Sequence, residues 1–214
     1  ELTGREAGIS RGKGGSMHMF SVDHKFYGGH GIVGAQVPLG AGLAFAHKYN
    51  EDGGICVAYF GDGAANQGQV YEAFNMAALW KLPCVFIIEN NKYGMGTAVE
   101  RAAAIKDLDR RADAYQGMHG EPVDGQDVFA VREATERALG ICRKESRPAL
   151  LEIRTYRFMG HSMSDAVSGT YRTKAELDEQ LKRDPVLMLK ARMLETGDCT
   201  EADVAEMERE IKAL

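Results

Sequence analysis

The sequence predicts an α/β fold in which helices cover both faces of a mostly parallel sheet. Three short apolar runs, at residues 55–60, 84–88 and 149–155, alternate with segments of helical periodicity. The run at 84–88 is almost entirely apolar, which is typical of parallel strands that are buried on both faces. Because strands and helices alternate along the chain, we expect one parallel sheet whose strands are joined by helical crossovers.

The first half of the chain begins with a glycine-rich irregular segment. Seven of the first thirty residues are glycine and show little periodicity, which indicates loops. Small and apolar residues then crowd together at 34–49, where we expect a tightly packed helix. The strand at 55–60 ends sharply at the Gly-Asp-Gly triplet of residues 61–63, and a second helix is expected at 67–80.

The second half continues this alternation. Pro83 precedes the strand at 84–88, which ends at the Asn-Asn pair of residues 90–91. Asp127 is the predicted N-cap of a helix that extends to about Lys144, because apolar residues recur there at helical spacing. A third strand is expected at 149–155.

The last forty or so residues are predicted to be helical. From Thr173 onward the sequence is rich in charged residues, Asp184-Pro185 is a typical helix start, and Gly197-Asp198 separates the last two helices. We therefore expect residues 1–172 to form the α/β domain and residues 173–214 to be its C-terminal helical extension.

Composition excludes several classes of protein. The 214 residues are 44% hydrophobic and 27% charged, the ordinary balance of a globular chain. The formal net charge of −5 gives no general attraction to nucleic acid or anionic lipid. The longest weakly polar stretch, residues 32–46, is shorter than the ~20 residues of a membrane helix. We expect neither a nucleic-acid partner nor a membrane span.

Polar residues follow two of the predicted strands, at the edge of a parallel sheet where ligands bind. Asp62 follows the first strand and Asn91 follows the second, 29 residues later. A carboxylate oxygen and an amide oxygen together suit Mg²⁺ that is shared with a phosphate group. Gly61 and Gly63 allow the backbone to approach a diphosphate, and the next helix offers its N-terminal N–H groups. A simple turn would explain the Gly-Asp-Gly triplet if it stood by itself. The pairing of this triplet with Asn91 favours a metal and diphosphate site.

Two other phosphate-binding loops do not fit the sequence. Residues 8–14 are superficially similar to a Walker P-loop, but the spacing between the glycines is one residue short. Gly14 also stands where Ser or Thr must follow Lys13. A dinucleotide-binding loop needs a third glycine, and Asn66 stands at that position.

Longer motifs resemble a known family. They lie at residues 12–19, 27–29, 31–36, 61–69, 89–96 and 160–165. Together they resemble the alpha subunits of the decarboxylating component of thiamine-diphosphate-dependent 2-oxo acid dehydrogenases, and the pyruvate type in particular. The resemblance extends to about Arg172 and implies a thiamine-diphosphate-binding fold.

The resemblance also implies roles for particular residues. Mg²⁺ would be bound by Asp62, by the side chain of Asn91 and by the backbone carbonyl of Tyr93. Gly63 and Ala64 would contact the diphosphate.

Two further parts of the cofactor site are implied by the same resemblance. Gly31 and Val33 would hold the aminopyrimidine ring through their backbone groups. His161 would lie beside the diphosphate and the substrate channel, where it is the expected catalytic residue. The family's upstream cofactor contacts would precede Glu1, so the resemblance implies an N-terminally truncated chain.

The implied activity is oxidative decarboxylation of pyruvate, followed by transfer of the acetyl group to the lipoyl group of a dihydrolipoyl acyltransferase core. A beta subunit would supply the activating carboxylate, so an α2β2 heterotetramer is expected. The expected location is the cytoplasm of a bacterium or the mitochondrial matrix of a eukaryote. Two alternatives stay open: an alpha subunit specific for branched-chain 2-oxo acids or acetoin, and a non-catalytic cofactor-binding homologue.

Overall fold

The computed structural model describes residues 1–167 and 169–214 and shows a parallel sheet packed between helices. In chain order the helices and strands are α1 (Gln36–Asn50), β1 (Cys56–Gly61), α2 (Gly68–Leu79), β2 (Cys84–Asn90), β3 (Tyr93–Gly94), β4 (Thr97–Ala98), α3 (Val99–Ala102), β5 (His119–Asp124), α4 (Val128–Glu145), β6 (Ala149–Arg154), α5 (Lys174–Leu181), α6 (Pro185–Thr196) and α7 (Glu201–Ala213). Short 3₁₀ helices lie at Gly15–Met17, Ala64–Asn66 and Leu108–Ala114.

The main sheet has the strand order β1–β2–β6–β5, and all of its neighbouring strands are parallel. The predicted α/β class is therefore confirmed. Because the strands are parallel, the carboxyl ends of β1, β2 and β6 meet at one edge of the sheet.

Helices α1 and α2 cover one face of the sheet. Phe74 of α2 is fully buried, and its ring centroid lies 4.9 Å from that of Phe86 on β2. Gly40 brings α1 close to β1, since a Cβ atom added at Gly40 would lie 2.8 Å from the Cβ of Ala58. Small residues at this contact explain the crowding of glycine and alanine in the sequence of α1.

Helix α4 covers the opposite face. It begins at the predicted N-cap, where the Asp127 carboxylate accepts hydrogen bonds from the N–H groups of Phe129 and Ala130. Its buried residues Ala134 and Ala138 belong to the same apolar cluster as β2 and β6 residues. Strand β2 is thus covered on both faces, as its almost unbroken apolar sequence predicts.

Strand β5 is not predicted by the sequence pattern. Its residues include Gly120 and Pro122, which are unfavourable in the interior of a sheet. It is the last strand on one side of the sheet and pairs with β6 alone in the strand order. An outermost strand of this kind tolerates proline. At the other edge, β1 leaves Val57 and Tyr59 exposed on one face.

Three capped helices follow the sheet. Thr173 caps α5, Asp184 caps α6 with Pro185 at its first turn, and Gly197 ends α6 in the left-handed conformation, at a φ of 77°. Leu177 of α5 packs with buried tyrosines of the main body. Within residues 1–167 and 169–214, no helix combines the length and apolar character that a membrane crossing requires.

Candidate functional site at the carboxyl edge of the sheet

The structure places Asp62 beside the end of β2. Gly61 pairs with Glu89 in the β1–β2 register, so the next residue, Asp62, reaches the edge together with Asn90 and Asn91. Asp62 is buried, although it carries a carboxylate. The predicted convergence of Asp62 and Asn91 at one sheet edge therefore holds.

Charged and polar neighbours offset part of the cost of burying the Asp62 carboxylate, whose pKa stays above its usual value. Burial raises the pKa of Asp62, while the backbone N–H groups of Asp62 and Asn91 act in the opposite direction. The positive charges of Arg157 and Lys92 also favour the ionised form. A buried carboxylate in such surroundings suits a role as an anionic ligand.

Two glycines bring the loops after β1 and β2 into direct backbone contact. A Cβ atom added at Gly63 would lie 3.3 Å from the Cα of Gly94, and one added at Gly94 would lie 3.2 Å from the Cα of Gly63. Side chains at either position would push the loops apart. Gly63 is exposed, so its backbone is accessible, and the 3₁₀ helix that starts at Ala64 follows immediately.

Tyr93 contributes a carbonyl oxygen to the same edge. Arg157, in the segment after β6, donates a hydrogen bond from Nη1 to this oxygen at 3.1 Å. The carbonyl oxygen has two acceptor positions, so Tyr93 can keep this bond and still face a metal ion. The Nη2 atom of Arg157 donates to the carbonyl of Met95 at 2.7 Å and to the hydroxyl of Tyr171 at 2.8 Å.

Arg157 also connects this edge to the segment that contains His161. Its Nη2 atom lies 3.8 Å from Oδ2 of Asp165, and the same carboxylate oxygen accepts the backbone N–H of His161 at 2.8 Å. His161 itself is exposed. Arg172 donates to the carbonyls of Arg157 and Met159, which ties the two ends of this segment together.

The glycine-rich segment before α1 packs on the start of α2. Gln69 donates a hydrogen bond from Nε2 to the carbonyl of Val33 at 3.0 Å. Gly34 has a φ of 84°, a conformation that favours glycine, and it lies against Gln67 and Gln69. Gly31 and Val33 are both exposed.

Helix α5 supports Tyr93 from the outer side. Glu176 accepts hydrogen bonds from the hydroxyls of Tyr93, at 2.7 Å, and Tyr156, at 2.8 Å. Burial and the neighbouring Glu176 raise the pKa of Tyr156 to about 12, so this hydroxyl stays protonated at neutral pH. The guanidinium group of Arg172 lies over the Tyr93 and Tyr156 rings.

The oxygen atoms at this edge fit a magnesium ion better than a transition metal. One carboxylate, one amide oxygen and one carbonyl leave coordination positions for phosphate and water, which is the arrangement that Mg²⁺ prefers. Arg157 Nε is the one buried side-chain donor in the described part of the chain without a hydrogen-bond partner, and it fits a site that an anion completes.

Sequence reasoning misses several residues that shape this edge. Arg157, Glu152 and Gly94 make contacts that join segments distant in sequence, and the expected site assigns a role to none of them. Glu152 has one recognisable signal, because it is a charged residue in the middle of an apolar strand. Arg157 has none, since only the fold brings it near its partners, two of which are the backbone carbonyls of Tyr93 and Met95.

The Walker-like segment at residues 8–14 has a different use in the structure. Backbone N–H groups of Ser10, Gly12 and Gly14 converge on the carboxylate of Glu1 and hold its pKa below the usual range. A carboxylate of the chain itself thus occupies the position that an anion would take.

The fold and the polar edge define the class of the protein. It is an α/β protein with a candidate magnesium and phosphate site at the carboxyl ends of parallel strands. The family described as dehydrogenase E1 component matches residues 1–214, and the chain belongs to this family.

Curated relatives are similar over nearly the whole chain. The pyruvate dehydrogenase E1 component subunit alpha of Rhizobium meliloti is 54% identical over 99% of this chain and 60% of the relative. The mitochondrial subunit of the same name from Sminthopsis macroura is 55% identical over 99% of this chain and 57% of the relative. That of Rickettsia felis is 51% identical over 100% of this chain and 65% of the relative. The chain thus spans about three fifths of the length of these relatives.

Proposed function

We propose that this chain is the cofactor-binding part of the alpha subunit of a pyruvate dehydrogenase E1 component. The proposal combines membership of the dehydrogenase E1 component family with 51–55% identity to relatives named as such subunits. The observation that carries it is that Asp62 and Asn91 follow neighbouring parallel strands, where the Gly63–Gly94 contact brings the two loops together beside Tyr93. These oxygen atoms suit Mg²⁺ that also binds a diphosphate.

Each predicted site residue has a task in this proposal. The Asp62 carboxylate, the Asn91 amide oxygen and the Tyr93 carbonyl hold Mg²⁺. Gly63 and Ala64 contact the diphosphate through a backbone that has no bulky side chain in the way.

The ring and the substrate are bound by other segments. Gly31 and Val33 hold the aminopyrimidine ring through backbone groups. His161 acts as the catalytic residue beside the substrate, with its backbone fixed by Asp165. When bound, thiamine diphosphate supplies the nucleophile that attacks the 2-oxo acid and the electron sink for decarboxylation.

Partners complete the proposed activity. The beta subunit of an α2β2 heterotetramer supplies the other half of the site, and the lipoyl group of a dihydrolipoyl acyltransferase core accepts the acetyl group. The protein then acts in the bacterial cytoplasm or the mitochondrial matrix.

The test is reduction of an artificial electron acceptor by the full-length subunit assembled with its beta partner. Pyruvate, a branched 2-oxo acid and acetoin are compared, each with and without Mg²⁺ and thiamine diphosphate. We expect turnover that needs both cofactors and that is fastest with pyruvate. A preference for either other substrate would move the protein to another subfamily. Bound cofactor without turnover would show a non-catalytic homologue.

A further inference from the structure

A buried carboxylate lies beneath the candidate metal loop and has no role in the site described above. Glu152 of β6 is 0% exposed, and it accepts a hydrogen bond from Nδ2 of Asn90 at 2.6 Å. Its second oxygen accepts the N–H of Asp109 at 3.2 Å and Nη2 of Arg154 at 3.0 Å. Both oxygens are therefore held in place, which offsets the cost of burying the charge.

The charge of Glu152 fixes the orientation of the Asn90 amide. An ionised carboxylate can only accept hydrogen bonds, so the NH₂ group of Asn90 must face it. The amide oxygen of Asn90 then faces the opposite way, where it accepts the backbone N–H of Lys92 at 3.2 Å. Asn90 is itself only 1% exposed, so no water competes for this arrangement.

This second bond holds an unfavourable backbone conformation. Lys92 has a φ of 77°, in the left-handed region that residues with a side chain adopt only at a conformational cost. The turn at Lys92 determines the direction of its two neighbours, Asn91 and Tyr93. A further bond, from the Tyr93 N–H to Oδ1 of Asn91 at 3.2 Å, supports the same turn.

We propose that Asn90 and Glu152 are positioning residues that hold the Asn91–Tyr93 turn in the conformation that presents its oxygen atoms to the metal. Neither side chain touches the metal itself. The inference rests on the proposed function, because it requires Mg²⁺ to bind at this turn.

Reversing the polarity of the pair tests the proposal. In the Asn90→Asp variant, two carboxylates face each other, whereas the Glu152→Gln variant brings two amides together. When the two substitutions are combined, the amide at position 152 can donate to the carboxylate at position 90. The hydrogen bond is then restored in the reverse direction, with the net charge of the wild type. The amide oxygen that the Glu152→Gln substitution introduces can still accept from Arg154 and Asp109.

The measurement is the affinity for Mn²⁺ at saturating thiamine diphosphate, from the electron paramagnetic resonance signal of free Mn²⁺. It uses the full-length subunit assembled with its beta partner. We expect each single variant to bind Mn²⁺ roughly 10- to 100-fold more weakly, the usual effect of losing a hydrogen bond to a metal-binding loop. The double variant should return to within about threefold of the wild type.

A control separates positioning from general stability. Val85→Ala removes buried volume from the other end of β2, on the face covered by α4. It should lower the melting temperature while leaving Mn²⁺ affinity within about twofold of the wild type. If Asn90→Asp does not assemble, Asn90→Ser serves in its place, since it removes the amide without adding charge.

The outcomes are distinct. Single variants with wild-type affinity, or a double variant no better than the single ones, would overturn the positioning role while leaving the proposed function intact. A loss of affinity in Val85→Ala that matches its loss of stability would also overturn it. A wild-type protein that binds no Mn²⁺ in the presence of thiamine diphosphate would contradict the proposed function as well.

Discussion

The carboxyl edge of the sheet and the last two helices differ in what stabilises them. At the edge, Asp62, Asn90 and Glu152 are buried polar residues whose partners come from distant parts of the sequence. In α6 and α7, every residue is at least partly exposed, and the helix ends are defined by local caps. Caps therefore specify these helices locally, whereas the site depends on sheet register.

Substitution of Asp62 at the carboxyl edge should weaken cofactor binding most strongly. Asp62→Ala removes the carboxylate that would bind Mg²⁺, and we expect affinity for thiamine diphosphate in Mg²⁺ to fall more than about 1,000-fold, or ~4 kcal/mol. Isothermal titration of the full-length subunit, assembled with its beta partner, measures this.

The matched control removes a carboxylate from the other region. Asp203→Ala takes away part of the α7 capping box and should leave cofactor affinity unchanged. If Asp62→Ala retained full affinity, Asp62 would not be the metal ligand.

Truncating a buried side chain should cost more unfolding free energy than truncating an exposed one. Phe74→Ala removes a fully buried ring from the core between α2 and β2, which should cost about 3–5 kcal/mol of unfolding free energy. Leu187→Ala in α6 changes a side chain of which 59% is exposed, so its effect should stay within about 0.5 kcal/mol. Urea denaturation monitored by circular dichroism gives both values. Equal losses would show that α6 has a core role that its exposure does not indicate.

The stability of the fold should depend on pH through Asp109. Burial and the neighbouring Glu152 raise the pKa of Asp109 to about 6. Folding raises this pKa, so the folded state binds the proton more tightly than the unfolded state does. The resulting stabilisation is present at acidic pH and is lost as the pH rises through about 6. Asp109→Asn replaces the acid by an amide that stays neutral, so we expect it to gain roughly 1–3 kcal/mol over the wild type at neutral pH.

The gain should shrink towards acidic pH, where Asp109 in the wild type is itself protonated. Thermal unfolding at about pH 4.5 and pH 7.5 compares the two conditions. Asp113→Asn is the control, since this side chain is 70% exposed in the same 3₁₀ helix. A gain of equal size at both pH values would argue against a raised pKa at Asp109.

The smallest expected effect is at a cap. Thr200→Ala removes the side chain that accepts the N–H of Asp203 at the start of α7, a change worth about 1 kcal/mol. Because α7 buries no residue, the loss should appear as faster amide hydrogen exchange within α7 alone.

Asp127→Ala makes the equivalent change in α4, which packs on the sheet. There the same loss should lower the stability of the whole domain. If Thr200→Ala destabilised the domain as much as Asp127→Ala, α7 would be coupled to the core.

Much of the fold follows from the sequence, because local signals determine it. The caps at Asp127 and Asp184 and the apolar run of β2 predict their elements to within one or two residues. Strand β5 is not predictable in the same way, since Pro122 is acceptable only because the strand lies at an edge.

Part of the candidate site is likewise predictable from the sequence, and part is not. The convergence of Asp62 and Asn91 is predictable, since each follows a strand of one parallel sheet. The contact of Arg157 with the Tyr93 carbonyl is not, because 64 residues separate them and the acceptor is a backbone group without a sequence signal. The buried link between Asn90 and Glu152 depends on strand neighbours that only the topology determines.

The most direct test of a metal site at this edge is anomalous diffraction. Crystals of the full-length subunit with its beta partner would be grown with Mn²⁺ and thiamine diphosphate. We expect an anomalous peak bound by the carboxylate of Asp62, the side-chain oxygen of Asn91 and the carbonyl of Tyr93. A peak at any other group of residues, with these three atoms facing only protein or water, would contradict the account.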